Sequence, residues 1–366
     1  MDPITHTLVG ASLASSRLGG KTVLGATALI VGANLPDIDV LSYVAGSDAA
    51  LGFRRGWTHG VLALVVLPAV LAVALYCVGR WRAVRAPRGR PSIAWLLALS
   101  YVAVLTHPML DWLNTYGMRW LMPFRDTWFY GDSVFIVDPW LWLILGTGWL
   151  IGREPTRGLL ILFSLFVAPL LLLTSAVAPA VSPLLLSVAA VLLMALLKRP
   201  DGERAVAARA AVAGLGTAVI YIVALLTLQA RAEMTTRSLI ERESGGFPEA
   251  LMVGPVPADP LTWEVVATDA EEIRYGRFSW REGWRINAGR LKLSEWSRPR
   301  AELSPAWPKI VGSGQSPGFL AWVRFPWLEI ETHARGVSAH VMDGRYVRER
   351  TAGFGAAIFS LPAAED

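Results

Sequence analysis

Six side chains suited to holding a divalent cation stand in the first third of the chain: His6, Asp37, Asp39, His59, His107 and Asp111. Each lies at the end of an apolar segment. Carboxylates and imidazoles are costly near lipid, so a cluster of them there points to a functional site. His107 and Asp111 are spaced i, i+4 and share one helix face, where both can reach a single ion. The same spacing also allows a plain hydrogen bond between the two inside a helix bundle. In Asn34-Leu35-Pro36-Asp37-Ile38-Asp39 the proline disfavours helical geometry in the residue before it and ends the preceding helix. If the backbone after it is extended, Asp37 and Asp39 project to one side and Ile38 to the other. Two carboxylates so close raise each other's pKa unless a cation sits between them; the alternative is a solvated turn.

The run Arg54-Arg55-Gly56-Trp57-Thr58-His59 adds an imidazole and guanidinium groups where an apolar segment begins. Arginine binds carboxylate or phosphate with two parallel hydrogen bonds, so a phosphate-bearing substrate accounts for positive charge beside metal ligands. Arg54 is equally suited to solvent or lipid headgroups, and His6 could simply lie in a capped helix start. Three imidazoles and three carboxylates are enough for two divalent ions with positions left for water and substrate. Zinc suits the mixture, and manganese or iron could also bind it. The expected chemistry is hydrolysis of a phosphoester or other ester by an ion-activated water, with Arg55 and Asp39 as catalytic residues beside the ligands. No HExxH, GxSxG or Walker-type loop points to a protease, serine hydrolase or NTPase.

These residues need elements to position them, and composition says where those elements sit. With 54% hydrophobic residues, 17% charged and a mean hydropathy of +0.44, the 366-residue chain belongs in a bilayer. Apolar segments near 60 to 79, 93 to 113, 138 to 152, 158 to 178, 183 to 197 and 205 to 230 approach the roughly 20 residues that cross a hydrocarbon core of about 30 Å. Two weaker, Gly- and Ala-rich segments, 5 to 18 and 22 to 36, suit close helix packing. The expected fold is an α-helical polytopic membrane protein of about eight helices. No basic n-region precedes an apolar core, so no cleaved leader is expected. The lone Cys77 allows no internal disulfide and no cysteine zinc site.

Before residue 230 the basic and acidic side chains number 17 and 11, and after it 17 and 18. Thirteen of the first 17 fall in four loops around Arg17, Arg80 to Arg90, Arg153 and Lys198 to Arg209. If every segment crosses once, these loops share one face, which the positive-inside rule makes cytoplasmic. All six candidate ligands then face outward. Asp138 before Pro139 reads as a helix N-cap with proline at the first helical position. From about residue 231 to 366 the pattern turns to short alternating runs, such as Thr262 to Ala267, Phe319 to Phe325 and Leu328 to Thr332, which predict strands. The expected domains are therefore a helical membrane part, 1–230, carrying the metal site, and a small, mainly β, extracytoplasmic part, 231–366. His333 and His340 in the latter have no partner at ligand spacing.

His6, Leu35 to Asp39, Arg55-Gly56-Trp57-Thr58-His59, and Thr106-His107 with Asp111, followed by Gly117 and Leu121-Met122-Pro123, resemble together the YdjM-like family. That family is described as LexA-regulated, inner-membrane-associated, metal-dependent hydrolases. The resemblance covers roughly residues 1 to 150. It implies a bacterial inner-membrane hydrolase, akin to zinc-dependent phospholipases C; the second domain lies outside the resemblance, and loop charge alone puts it in the periplasm. Family members often carry His where Arg54 stands and Ser where Gly60 follows the motif histidine, which removes a hydroxyl able to steady a ligand. The expected partners are the lipid bilayer and a lipid-linked or amphipathic small molecule, not nucleic acid. The competing readings are a non-catalytic membrane protein with a structural metal site or ion-transport role, and a periplasmic binding module anchored by the helices.

Overall fold

A computed structural model of the chain describes residues 1–85, 89–151, 204–282, 285–333 and 336–362. The expected segments 158 to 178 and 183 to 197 lie outside these residues. Helix α1, Pro3–Ser15, starts on Asp2, whose side chain accepts from the Ile4 and Thr5 N–H groups, with proline at the first helical position. Helix α2, Gly25–Gly32, is followed at a 43° bend by a 3-10 helix, Leu35–Ala45. Then come α3, Ser47–Phe53, α4, Val61–Arg85, and α5, Ile93–Trp112. Helix α6, Pro139–Leu150, is capped as the sequence predicts, with Asp138 accepting from the Leu141 N–H at 2.9 Å. The long α7 runs Arg204–Ser244.

Three helical stretches, Val61–Arg82, Ile93–Trp112 and Ala205–Glu243, are long and apolar enough to cross a membrane, or four if α2 and the 3-10 helix form one broken span. About eight crossings is therefore more than the described residues supply. Helix α1 has 13 residues and α6 has 12. At about 1.5 Å per residue neither reaches the roughly 30 Å of a hydrocarbon core. What the sequence presents there as short apolar runs are helices that pack inside the bundle.

The described chain forms two compact units. The first comprises Met1–Asp39, Arg55–Leu226 and Pro257–Asp259. Its core includes Ala28, Leu29, Ala72, Leu96, Leu99 and Ala103, where alanines let α2, α4 and α5 approach closely. The second unit comprises Val40–Arg54, Thr227–Val256 and Pro260–Asp366. Residue 230, the boundary read from composition, lies within continuous α7.

The second unit is mainly β. Strands β1, Ala250–Val256, β2, Asp259–Thr268, β3, Glu272–Glu282, and β4, Arg285–Pro299, form a sheet in that order. Strands β5, Pro326–His333, β6, Gly336–Asp343, and β7, Ala356–Leu361, form a second. Met252, Val266, Ile273, Phe325, Trp327 and Met342 build a core from residues of both sheets. Thr262 to Ala267 and Leu328 to Thr332 lie in strands, as their alternation predicts.

Phe319 to Phe325 does not. After a 3-10 turn, Ala301–Leu303, and helix α8, Trp307–Gly312, the chain forms helix α9, Pro317–Trp322. Proline at the first helical position favours this start, and Phe319 and Trp322 bury one face at helical spacing. The start is held from far away in sequence: Asp48 on α3 accepts from the Phe319 N–H at 2.8 Å and the Gly318 N–H at 3.3 Å. A Cβ on Gly318 would lie 2.1 Å from the Asp48 carbonyl oxygen, so only glycine permits this approach.

Candidate metal centre

Four separated stretches deliver the candidate ligands to one point. The last turns of α5 carry His107 and Asp111, both fully buried. The 3-10 helix carries Asp37 and Asp39, and the turns ahead of α4 carry Arg55 and His59. Helix α1 contributes His6 from its first turns. The backbone from Pro36 onward is helical, not extended, so Asp37 and Asp39 do not project together. In a 3-10 helix side chains repeat every three residues, which puts these two on different rows. Asp37 reaches toward His107, 3.6 Å from Nε2, while Asp39 reaches His59, 3.3 Å from Nδ1.

One ligand atom from each of Asp37, His59, His107 and Asp111 lies within 4.8 Å of the others. Asp111 is the hub. Its Oδ2 is 3.1 Å from His59 Nε2 and 3.3 Å from His107 Nε2, and its Oδ1 is 3.1 Å from His6 Nε2. His6 stacks on His107 with ring centroids 3.7 Å apart. His6 therefore shares Asp111 with the group of four without completing it, and Asp39 stands on the far edge of His59.

The imidazoles are oriented as metal ligands need to be. His107 Nδ1 lies 2.7 Å from the Ala33 carbonyl oxygen. A carbonyl can only accept, so this ring atom carries a proton, and Nε2 is the ring atom directed inward. That Nε2 is buried and makes no hydrogen bond of good geometry, with Asp111 Oδ2 at 3.3 Å and Asp37 Oδ1 at 3.6 Å. His59 is oriented by Asp39 and by the Thr58 hydroxyl, 2.9 Å from Nδ1, which leaves Nε2 facing Asp111. Burial pushes the His59 pKa below its ordinary value and favours the neutral ring that binds a cation. The Met1 amino nitrogen contacts Asp111 Oδ1. Converging carboxylates around inward-directed, buried imidazole nitrogens fit a divalent ion.

Arg55 is almost completely buried and braces the centre from behind. Its Nε lies 3.0 Å from Asp111 Oδ2 and its Nη1 donates to the Asp111 carbonyl oxygen at 3.0 Å. Its backbone N–H donates to Asp39 Oδ2 at 3.0 Å, and the Thr58 hydroxyl donates to the same oxygen at 3.2 Å. Arg54 turns elsewhere, its Nη1 3.3 Å from the Tyr43 hydroxyl. At Gly60, where the resemblance expects Ser, a Cβ would lie 2.4 Å from the Met122 carbonyl oxygen. Thr58 and the Ala33 carbonyl, which orient the two histidines, carried no role in the sequence reading. A threonine beside a motif histidine is a visible signal, whereas a backbone carbonyl on another helix leaves none.

Apolar helices of spanning length around a buried His/Asp cluster define an integral membrane protein with a candidate metal centre. Residues 1–181, which hold all six candidate ligands, match the model of the family described as "YdjM inner membrane protein". Among curated proteins, "Uncharacterized protein YfhP" of Bacillus subtilis (strain 168) is 24% identical over 151 residues. The aligned region is 39% of this chain and 43% of that relative, so less than half of either is covered. No solved structure matches the chain.

Proposed function

We propose that the protein is a membrane-bound, metal-dependent hydrolase acting on a phosphoester or other ester of a lipid-linked or amphipathic substrate at the outer face of the bacterial inner membrane. The observation that carries this reading is the convergence of Asp37, His59, His107 and Asp111 on one point with a buried imidazole nitrogen directed into it. Asp37, His59, His107 and Asp111 would hold a divalent ion, with His6 beside them. Zinc suits the set, and manganese or iron also fits it. Such an ion supplies Lewis acidity, activating water near neutral pH and stabilising charge on the ester oxygens.

The chain's own residues do the positioning. Arg55 fixes Asp111 through side chain and backbone, and Asp39 holds the His59 ring with its Nε2 inward. Arg55 also places a fixed positive charge behind the centre, which favours negative charge developing on the ester in the transition state. In the overall reaction water adds across the ester bond: the acyl or phosphoryl fragment keeps the hydroxyl oxygen, and the departing alcohol takes the proton.

Elemental analysis of detergent-purified protein tests the reading. Wild type should hold at least one transition-metal ion per chain, and Asp37→Ala and His107→Ala should lose most of it. Equal metal in all three would remove the ligand assignment. Ester hydrolysis abolished by chelation and restored by added metal should accompany this result.

A further inference from the structure

The 3-10 helix Leu35–Ala45 carries more than ligands. Because its side chains eclipse every third residue, the sequence divides into three rows. Pro36 and Asp39 are buried, with Ser42 half-buried, and form the inward row. Asp37 begins a second row that continues with Val40 and Tyr43, 51% and 46% exposed. The third, Ile38, Leu41 and Val44, is wholly apolar and is 50%, 65% and 92% exposed. In water a stripe of three such aliphatic side chains would be a liability. A bilayer would cover it, and α2 and the 3-10 helix together meet the length and composition of one broken membrane span or a re-entrant loop. The same holds on α5, a spanning helix in its own right: Met109, between ligands His107 and Asp111, is 54% exposed, and Leu105 is 46% exposed. Two elements that deliver ligands therefore turn apolar side chains outward within a residue or two of them.

We propose that acyl chains of the bilayer lie along Ile38, Leu41 and Val44, and that the substrate is a bilayer-resident phosphoester lipid whose headgroup reaches the centre sideways past Asp37. The chemical step in this proposal rests on the hydrolase reading above; the lipid contact does not. Asp37 is the ligand suited to meet the headgroup, since it is the only one of the four not fully buried. A water-soluble ester would gain nothing from the stripe. A lipid would gain the burial of its chain against three aliphatic side chains, which a serine at each position would remove.

Two measurements on the full chain in phospholipid nanodiscs test the proposal. The first is independent of activity. The single cysteine permits clean labelling, so a nitroxide is placed on Leu41→Cys or Val44→Cys in a Cys77→Ser background. Collision with oxygen, which concentrates in lipid, should exceed collision with a water-soluble nickel chelate at both positions. Dominance of the nickel chelate at both would overturn the lipid contact. The second compares hydrolysis of a long-chain phospholipid and of a short, water-soluble phosphodiester by wild type and by Ile38→Ser/Leu41→Ser/Val44→Ser. The ratio of kcat/KM for lipid to that for soluble ester should fall about tenfold or more, with metal content retained. An unchanged ratio would overturn the lateral route. If wild type hydrolyses neither compound, the hydrolase reading fails while the nitroxide result still decides whether lipid lies on the stripe.

Discussion

Asp39 Oδ2 lies 3.3 Å from His59 Nδ1, on the edge of the ring opposite the Nε2 that faces Asp111. This is the arrangement in which a carboxylate fixes the tautomer and direction of a ligating histidine, and loss of such a partner typically costs 10- to 100-fold in metal affinity. Asp39→Asn should therefore weaken metal binding by about that factor, while Asp37→Ala should abolish stoichiometric binding. Competition with a fluorescent zinc chelator separates the two. Equal affinities for Asp39→Asn and wild type would deny Asp39 any hold on the ring.

Arg55 meets Asp111 through both Nε and Nη1 and leaves the acid no freedom to turn. Lysine has one compact charge and cannot reproduce that fork. Arg55→Lys should lower ester hydrolysis at least tenfold and reduce thermal stability. Arg55→Ala should do worse, because it strips a buried carboxylate of its counter-charge, a loss of about 3 to 5 kcal/mol. Thermal unfolding of metal-free protein, monitored by tryptophan emission, reads the stability component. Unchanged melting of both variants would show that the pair is not part of the fold's support.

The ligand cluster is legible in the sequence because polar residues at the ends of apolar runs have few reasons to be there. The spacing of His107 and Asp111 puts them on one helix face, and the other polar residues at segment ends turn that weak signal into a candidate site. The geometry of Asp37 and Asp39 is not legible in this way, because Pro36-Asp37-Ile38-Asp39 fits an alternating pattern of period two as well as a helical one. Only the buried Pro36 and Asp39 against exposed Ile38, Leu41 and Val44 distinguish a period of three. Phe319 to Phe325 misleads for the opposite reason. Its aromatic and β-branched content predicts a strand, but Pro317 and a carboxylate 271 positions away stabilise a helix start instead. Local pattern cannot report a cap that arrives through tertiary structure.

Gly60 and Met122 set a steric limit. A side chain at 60 would bring Cβ to 2.4 Å from a carbonyl oxygen, and that atom belongs to backbone rather than to a flexible side chain. Gly60→Ser, although it restores the residue common in the resembling family, should destabilise the protein by about 1 to 3 kcal/mol through overpacking. Differential scanning of purified protein should show the lower midpoint. A midpoint equal to that of wild type would mean that the segment around Met122 shifts at no cost.

Loop charge makes an orientation testable. Arg80, Arg82 and Arg85 close α4, and Arg88 and Arg90 follow before α5, both helices having segments of spanning length, whereas Arg119 and Arg125 are the only basic residues between α5 and α6. Short loops rich in arginine stay in the cytoplasm. A reporter fused after residue 85 should read cytoplasmic and one fused after residue 125 periplasmic. The reverse pair would invert the topology and place the metal centre at the cytoplasmic face.

Asp48 serves the second compact unit from a segment that leaves Asp39 and returns to Arg55. Its carboxylate accepts from Gly318 and Phe319 at the start of α9, whose preceding residue, Ser316, makes no side-chain cap. Removing a capping acceptor leaves two backbone N–H groups without it and costs about 1 kcal/mol. Asp48→Ala should lower the thermal midpoint accordingly and expose the region around residue 317 to protease, and Asp48→Asn, which keeps one acceptor oxygen, should lose less. Metal content serves as the control on a different part of the chain: because the ligands begin and end outside residues 40 to 54, it should hold in both variants. An Asp48→Ala protein as stable and as protease-resistant as wild type would show that α9 needs no acceptor from α3.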